Sequence, residues 1–204
     1  MYFFSGDPTV ETFVVRDLDS LISQREADAV DEWLRSSKRF HVMRDAPQHK
    51  ALFLGGLWGA HNYHRANRLH VTVPSNNLVK FEQTKSEKLK KYESQARHWL
   101  DRMLTLADGL GYKGLDQRVL NEVLGPVVTD DGRIEKIILT EDKNELMSHD
   151  SYTCEDFPES RPWPTARRGR EFVGSPSLLF PEVFVSEQCP WECRPNNHKS
   201  WLYC

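Results

Sequence analysis

Apolar positions along the chain switch between a period of two and a period near 3.6, and the switches mark out strands and helices. Residues 10–16, Val-Glu-Thr-Phe-Val-Val-Arg, form a β-rich run that predicts a buried strand. A helix follows. Ser23 and Glu26 have the Ser-x-x-Glu spacing of a capping box, and Ala27, Val30, Trp33 and Leu34 fall on one face, so the helix is expected to end near Ser36-Ser37. Residues 40–43, Phe-His-Val-Met, predict a second strand, and residues 51–54, Ala-Leu-Phe-Leu, a third that runs into Gly55-Gly56-Leu57-Trp58-Gly59. Residues 60–70, rich in His, Asn and Arg, read as a loop or irregular helix.

The stripe Leu89, Tyr92, Ala96, Trp99, Met103 and Leu106 predicts a long helix over about 86–108. Gly109, Gly111 and Gly114 break it. A shorter helix is expected over 116–124 with Leu115, Val119, Leu120 and Val123 inward, stopped by Gly125-Pro126. Residues 127–129 and 134–139 flank Asp131-Gly132 and suggest a hairpin. From about 155 the chain is rich in Pro, Arg and Trp without periodicity and reads as irregular. The alternation of strands and helices predicts an α/β fold over residues 1–154, with 155–204 as a C-terminal extension.

Composition changes this picture little. Hydrophobic residues at 39% and charged residues at 28% fit a globular domain, and a net charge of −3 gives no reason to expect nucleic acid as partner. No apolar run is long enough to cross a bilayer, and Met1-Tyr2-Phe3-Phe4 is cut off too early by Ser5-Gly6-Asp7-Pro8 to serve as a signal peptide. The four cysteines, Cys154, Cys189, Cys193 and Cys204, all lie late in the chain. Disulfides are the leading reading and point to the secretory lumen or the exterior. Free thiols and a zinc site from Cys189, Cys193, His198 and Cys204 are the rivals.

Three clusters carry candidate chemistry. Asp17-Leu18-Asp19 puts two carboxylates at i and i+2 just after a strand, so they leave one face where open α/β sheets bind ligands. Oxygen ligands of this kind suit Mg²⁺ or Mn²⁺, with phosphates sharing the shell, although Asp-x-Asp also occurs in plain turns. The second cluster is His41-Val42-Met43-Arg44-Asp45-Ala46-Pro47-Gln48-His49. In it, Arg44 can grip a phosphate and Asp45 can act on a hydroxyl, or the two can be a structural pair. In the third, Gly55 and Gly56 allow backbone to approach a ligand closely, with Trp58 either an apolar platform or a buried turn residue.

Taken together, Arg16-Asp17-Leu18-Asp19-Ser20, then Phe40-His41-Val42-Met43-Arg44-Asp45 with Pro47 and His49, then Leu54-Gly55-Gly56-Leu57-Trp58-Gly59, resemble a group of glycosyltransferase-like proteins of the GT-A, nucleotide-diphospho-sugar transferase type, over roughly residues 9–175. Gly114-Leu115-Asp116-Gln117-Arg118-Val119-Leu120-Asn121 is similar to the Asp-Gln-Asp-x-Leu-Asn segment of glycogenin-like enzymes, with Arg118 in place of the second Asp.

The resemblance implies a Rossmann-like mixed sheet and transfer of a sugar from a nucleotide-sugar to a glycan or protein acceptor. It implies Mn²⁺ or Mg²⁺ held by Asp17, Asp19 and a late histidine, His149. It implies donor contacts from Arg16, Arg44, His49, Gly55, Gly56 and Trp58, with Asp45, Asp116 and Gln117 at the reacting sugar or acceptor. It also implies a nucleotide-binding βαβ half ahead of the Asp-x-Asp. Only sixteen residues stand there, so a fragment, weakly active or prone to associate, is expected. The competing expectation is an inactive luminal carbohydrate- or protein-binding module, using Trp163, Trp191 and Trp201 as stacking surfaces.

Overall fold

The computed structural model describes residues 7, 9–62, 94, 96–108, 111, 113–128, 146–152, 160–169, 171–176, 185 and 187–203. The strand at the start is β1, Thr12–Arg16. The helix after it, α1, Gln24–Arg35, opens as the capping box requires: Ser23 Oγ accepts from the Glu26 N–H at 3.2 Å. Ser36 closes it, its N–H returning to Trp33 O. Strand β2 is Phe40–Arg44.

The next strand, β3, is Leu57–His61, six residues later than the expected 51–54. The displacement has a local cause. Phe53 offers its backbone to a side chain rather than to a strand, its N–H donating to Asn121 Oδ1 at 3.0 Å and its carbonyl accepting from Asn121 Nδ2 at 2.7 Å. A turn from Leu54 O to Leu57 N, through Gly55 and Gly56, then starts β3.

Residues 96–107 are helical, α2, and form the described end of the long helix expected there; Leu89 and Tyr92 lie outside the described residues. Helix α3, Leu115–Val123, begins after Gly114, whose φ of 84° is the left-handed conformation that glycine adopts freely. It buries Val119, Leu120 and Val123, the face expected from its spacing. Gly125-Pro126 does not stop the chain. It opens a further helical turn, α4, Gly125–Val128, because proline is tolerated in a first turn where no N–H is needed. Val127 and Val128 are therefore helical rather than one arm of a hairpin, and the expected second arm lies outside the described residues. Strand β4, Leu146–Asp150, was not foreseen, and the two-residue β5 is Ser160–Arg161.

The sheet is mixed, in the order β1-β3-β2-β4-β5. Strand β3 pairs antiparallel with both β1 and β2, whereas β2, β4 and β5 run parallel. Strands β1, β2 and β4 consequently point the same way. β1 stands at the end of this order, beside an antiparallel strand, rather than between two parallel neighbours. The period of two sorts the faces. Phe13, Val15, Phe40, Val42, Trp58, Ala60 and Leu146 pack on α2 and α3 through Met103, Val119, Leu120 and Val123. On the other face Met43 and Leu57 meet Ala29 of α1, together with Trp163 and Val173 from the C-terminal segment. Helices thus cover both faces, as an α/β architecture requires.

Trp33 holds α1 to this second face. Its ring stacks on His61 with centroids 4.4 Å apart, and its Nε1 donates to Lys38 O at 3.0 Å. Gly59 leaves room for it. A Cβ there would lie 3.2 Å from the Trp33 ring and 2.9 Å from Phe13 O. Near the C-terminus, Cys189 and Cys193 are buried beside Trp201, and neither is a free thiol. No helix among the described residues is long and apolar enough to cross a membrane.

The cap gives a direct test of the local reading. Ser23→Ala removes the acceptor for the Glu26 N–H and is expected to cost about 1 kcal/mol in urea unfolding. An unchanged midpoint would show that the Ser23 cap contributes nothing to α1.

Candidate functional site

Because β1, β2 and β4 are co-directional, their carboxyl ends share one end of the sheet. Most residues singled out in the sequence lie there, but they separate into two groups that the chain does not show as distinct.

The first group is buried and internally satisfied. Asp45, directly after β2, is 0% exposed. Arg25 of α1 donates to it from Nε at 3.1 Å and from Nη2 at 2.8 Å. Arg167 Nη2 donates at 2.8 Å, Ser151 Oγ at 2.6 Å and the Val173 N–H at 3.0 Å. Five donors use up the lone pairs of a carboxylate, so Asp45 has no capacity left to take a proton from a hydroxyl. The geometry makes it a structural anion rather than a catalytic base. Burial lowers the Arg25 pKa to about 10, against the pull of Asp45, and leaves it charged at neutral pH.

Arg44 is committed in the same way. Its Nε donates to Asp150 Oδ2 at 2.7 Å, its Nη2 to Ser148 Oγ and its Nη1 to Leu52 O at 3.3 Å. With both members of the Arg44–Asp150 pair 1% exposed, the fork expected to grip phosphate is spent on β4. His49 Nδ1 accepts the Asp45 N–H at 3.2 Å, and its ring meets Phe172 edge-on at 5.5 Å. Burial pushes its pKa down to about 4, so it is neutral and carries no charge for a phosphate. Trp58 is likewise no platform: it is 1% exposed and packs edge-on against Phe13 and Phe53.

His149 lies on the α1 face of β4, bonded to His41 at 2.9 Å and to Glu32 at 3.2 Å. The sheet order β1-β3-β2-β4 puts two strands, β2 and β3, between it and β1. At nearly 5 Å per strand this is roughly 14 Å, far beyond a shared metal shell. His149 is thereby removed as a third ligand to Asp17 and Asp19. Arg16 turns toward α1. Its Nε meets Glu26 Oε1 at 2.5 Å and its Nη1 donates to Ser20 Oγ at 3.2 Å, fastening the strand end to the helix start rather than facing a donor phosphate.

The second group remains open. Asp17 is exposed, and Asp19, Asp116 and Gln117 are half-buried. Gly55 and Gly56 draw two of them together. A Cβ at Gly56 would lie 2.2 Å from Asp17 Cγ, and one at Gly55 would lie 2.5 Å from Asp116 Oδ2. Two successive glycines therefore carry one carboxylate each on their bare Cα faces, one from the end of β1 and one from the first turn of α3, where a negative charge is favoured. The Asp17 pKa is raised, first by desolvation and then by repulsion from Asp19 and Asp116. Sequence reasoning named these residues but not the pairing of each glycine with one aspartate. Among the described residues, no group of three His, Cys, Asp or Glu side chains forms a ready metal cage.

The two groups should respond oppositely to neutralisation. Asp45→Ala leaves Arg25 and Arg167 buried without their partner and should cost about 3–5 kcal/mol. Asp17→Asn should stabilise at neutral pH. A carboxyl whose folded pKa is raised binds more protons folded than unfolded, so its contribution weakens the fold as pH rises through that range, and the amide removes the repulsion. Urea unfolding at pH 7 checks both, and an Asp17→Asn protein less stable than the parent would contradict the repulsion. No family model, curated protein or solved structure matches this chain, so the site rests on its own geometry.

Proposed function

We propose that the chain carries the metal-diphosphate part of a GT-A-type glycosyltransferase and acts in transferring a sugar from a nucleotide-sugar to a hydroxyl or amine acceptor. The observation that supports this reading is the convergence of Asp17 and Asp116 on Gly55 and Gly56, with Asp19 close enough to repel Asp17. A carboxylate whose pKa is raised by desolvation and by neighbouring carboxylates, as that of Asp17 is, is relieved by a hard cation, and such a cation commonly takes one or two carboxylates plus substrate phosphates.

In this reading Asp17 and Asp19 hold Mn²⁺ or Mg²⁺ without a histidine. The ion, when bound, supplies charge stabilisation for the leaving diphosphate. Gly55 and Gly56, lacking a Cβ, let Asp17 and Asp116 close on the backbone beside the ion. Asp116 and Gln117, adjacent in the first turn of α3, orient the sugar or the acceptor. Arg44, Asp45, His49 and Trp58 hold the scaffold behind them.

A second reading, a carbohydrate-binding module without turnover, draws on Trp191 alone of the tail tryptophans. Trp191 is 59% exposed, with Lys199 Nζ and the Arg194 guanidinium each 5.6 Å from its ring, whereas Trp163 is buried and Trp201 stacks on His198.

A panel of nucleotide-sugars, assayed by thermal shift and by hydrolysis with and without Mn²⁺, separates the two. The enzyme reading expects stabilisation that requires Mn²⁺ and disappears in the Asp17→Ala, Asp19→Ala double variant. Retained metal-dependent binding in that variant would sink the Asp-x-Asp role. Metal-independent glycan binding that is lost in Trp191→Ala would favour the module.

A further inference from the structure

The fold holds a second array of titratable groups that the proposed site does not use. On the α1 face of the sheet, His41 Nε2 lies 2.9 Å from His149 Nδ1, and His149 Nε2 lies 3.2 Å from Glu32 Oε2. Arg161 Nη1 donates to the other Glu32 oxygen at 2.8 Å. Both histidines are 0% exposed.

The partners fix every proton. The Glu32 carboxyl is held down to about 2, first by its hydrogen bond from His149 and then by Arg161, so it is an anion that only accepts. His149 must therefore donate from Nε2, which leaves its Nδ1 to accept from His41 Nε2. That assignment leaves one basic nitrogen unused: His41 Nδ1, buried and without a hydrogen-bond partner. A proton added there would find no acceptor. A proton added at His149 Nδ1 would face the His41 N–H donor.

The surroundings oppose a cation as well. Arg25 of α1 and Arg161 of β5 bear on His149, His149 and Arg161 bear on His41, and Glu32, the anion that bears on His149, is already shared with Arg161. Trp33, stacked on His41 at 5.3 Å, and Trp163, tilted over His149 at 5.5 Å, complete the enclosure. Of these neighbours only the Trp33 ring face offers a protonated His41 any attraction.

The location gives the array its consequence. Met43 pairs with His149, so the histidines span β2 and β4, the junction, among the described strands, between the antiparallel strands β1-β3-β2 and the parallel pair β4-β5. We propose that the His41–His149 pair is an acid-sensitive clamp on this junction: proton uptake releases β4 and β5 while β1, β3 and β2 stay folded.

Burial is the largest cause lowering both histidines from their ordinary value of 6.5, and it outweighs Glu32 at His149. An opened junction therefore binds more protons than a closed one below about pH 6.5. Docking is at full strength above that value and weakens as pH falls toward the folded pKa values, by up to about tenfold per histidine per pH unit. His49, also lowered, is the rival sensor. It faces Asp45, Asp150, Arg44 and Arg167 at the end of β2 instead.

Amide exchange of the full chain, read as protection factors at pH 7.5, 6.5 and 5.5, tests the clamp. Protection in Leu146–Asp150 is expected to fall about thirtyfold between pH 6.5 and 5.5, while that in Leu57–His61 changes less than about fivefold. His41→Gln keeps a donor toward His149 and removes the free nitrogen, so it should flatten much of the β4 response; His49→Gln should leave it intact. Should His41→Gln fail to fold, the ring signals of His41 and His149 in the parent protein decide. Titration only as β4 loses protection supports the clamp. Titration near pH 6.5 with protection retained, equal loss in β3 and β4, or a response abolished by His49→Gln would overturn it.

Discussion

The structure depends on one buried anion. The Asp45 carboxylate, at the carboxyl end of β2, is reached by Arg25 of α1, by Ser151 just past β4, and by Arg167 and Val173 of the C-terminal segment. Three other parts of the chain meet on it. An isolated carboxylate at that depth would be prohibitive, and it is stable only because every lone pair has a donor and two guanidiniums balance its charge. The same need explains why α1, amphipathic by its apolar spacing, also turns Arg25 inward. It explains too why Trp163 and Val173, which lie outside any helix or strand, pack against the core beside Met43 and Leu57.

That arrangement divides the end of the sheet into a closed half and an open half. Over β2 and β4, Arg44–Asp150 and Arg25–Asp45–Arg167 take up Arg44 and Asp45, two groups that sequence alone would credit with chemistry. Over β1 and the start of β3, the glycines at 55 and 56 let Asp17 and Asp116 approach while both still reach solvent. Ligands of open α/β sheets bind beyond the carboxyl ends of strands, and among the described residues the β1 side of that end is where Asp17, Asp19 and Asp116 still reach solvent. Desolvation first, and then repulsion from Asp19 and Asp116, raises the Asp17 pKa there, a cost to stability that a bound cation would relieve under the function proposed above.

What the sequence disclosed followed the range of the interactions involved. The Ser23–Glu26 cap, the strand at Phe40–Arg44 and the inward face of α3 are set by residues a few positions apart, and all three were readable. Strand β4 was not. Leu146-Met147-Ser148-His149-Asp150 has neither β-branched residues nor alternation, and its conformation comes from a parallel partner about a hundred residues earlier. Asp45 read as a candidate base because the partner that silences it, Arg167, lies 122 positions away. His149 read as a metal ligand for the same reason, its true neighbours being on β2 and α1. The α/β class was legible; the allocation of charges between scaffold and site required the register of the sheet.

The separation of scaffold from site is most directly measured by the paramagnetic effect of Mn²⁺ on the nuclear resonances of the intact chain. Backbone signals of Asp17, Gly55, Gly56 and Asp116 should broaden first, while those of Asp45, Arg44 and His149 stay sharp until far more metal is added. Broadening centred on His149 and Asp45, or none at the Asp17 end with Mn²⁺ in excess, would contradict the assignment of the site.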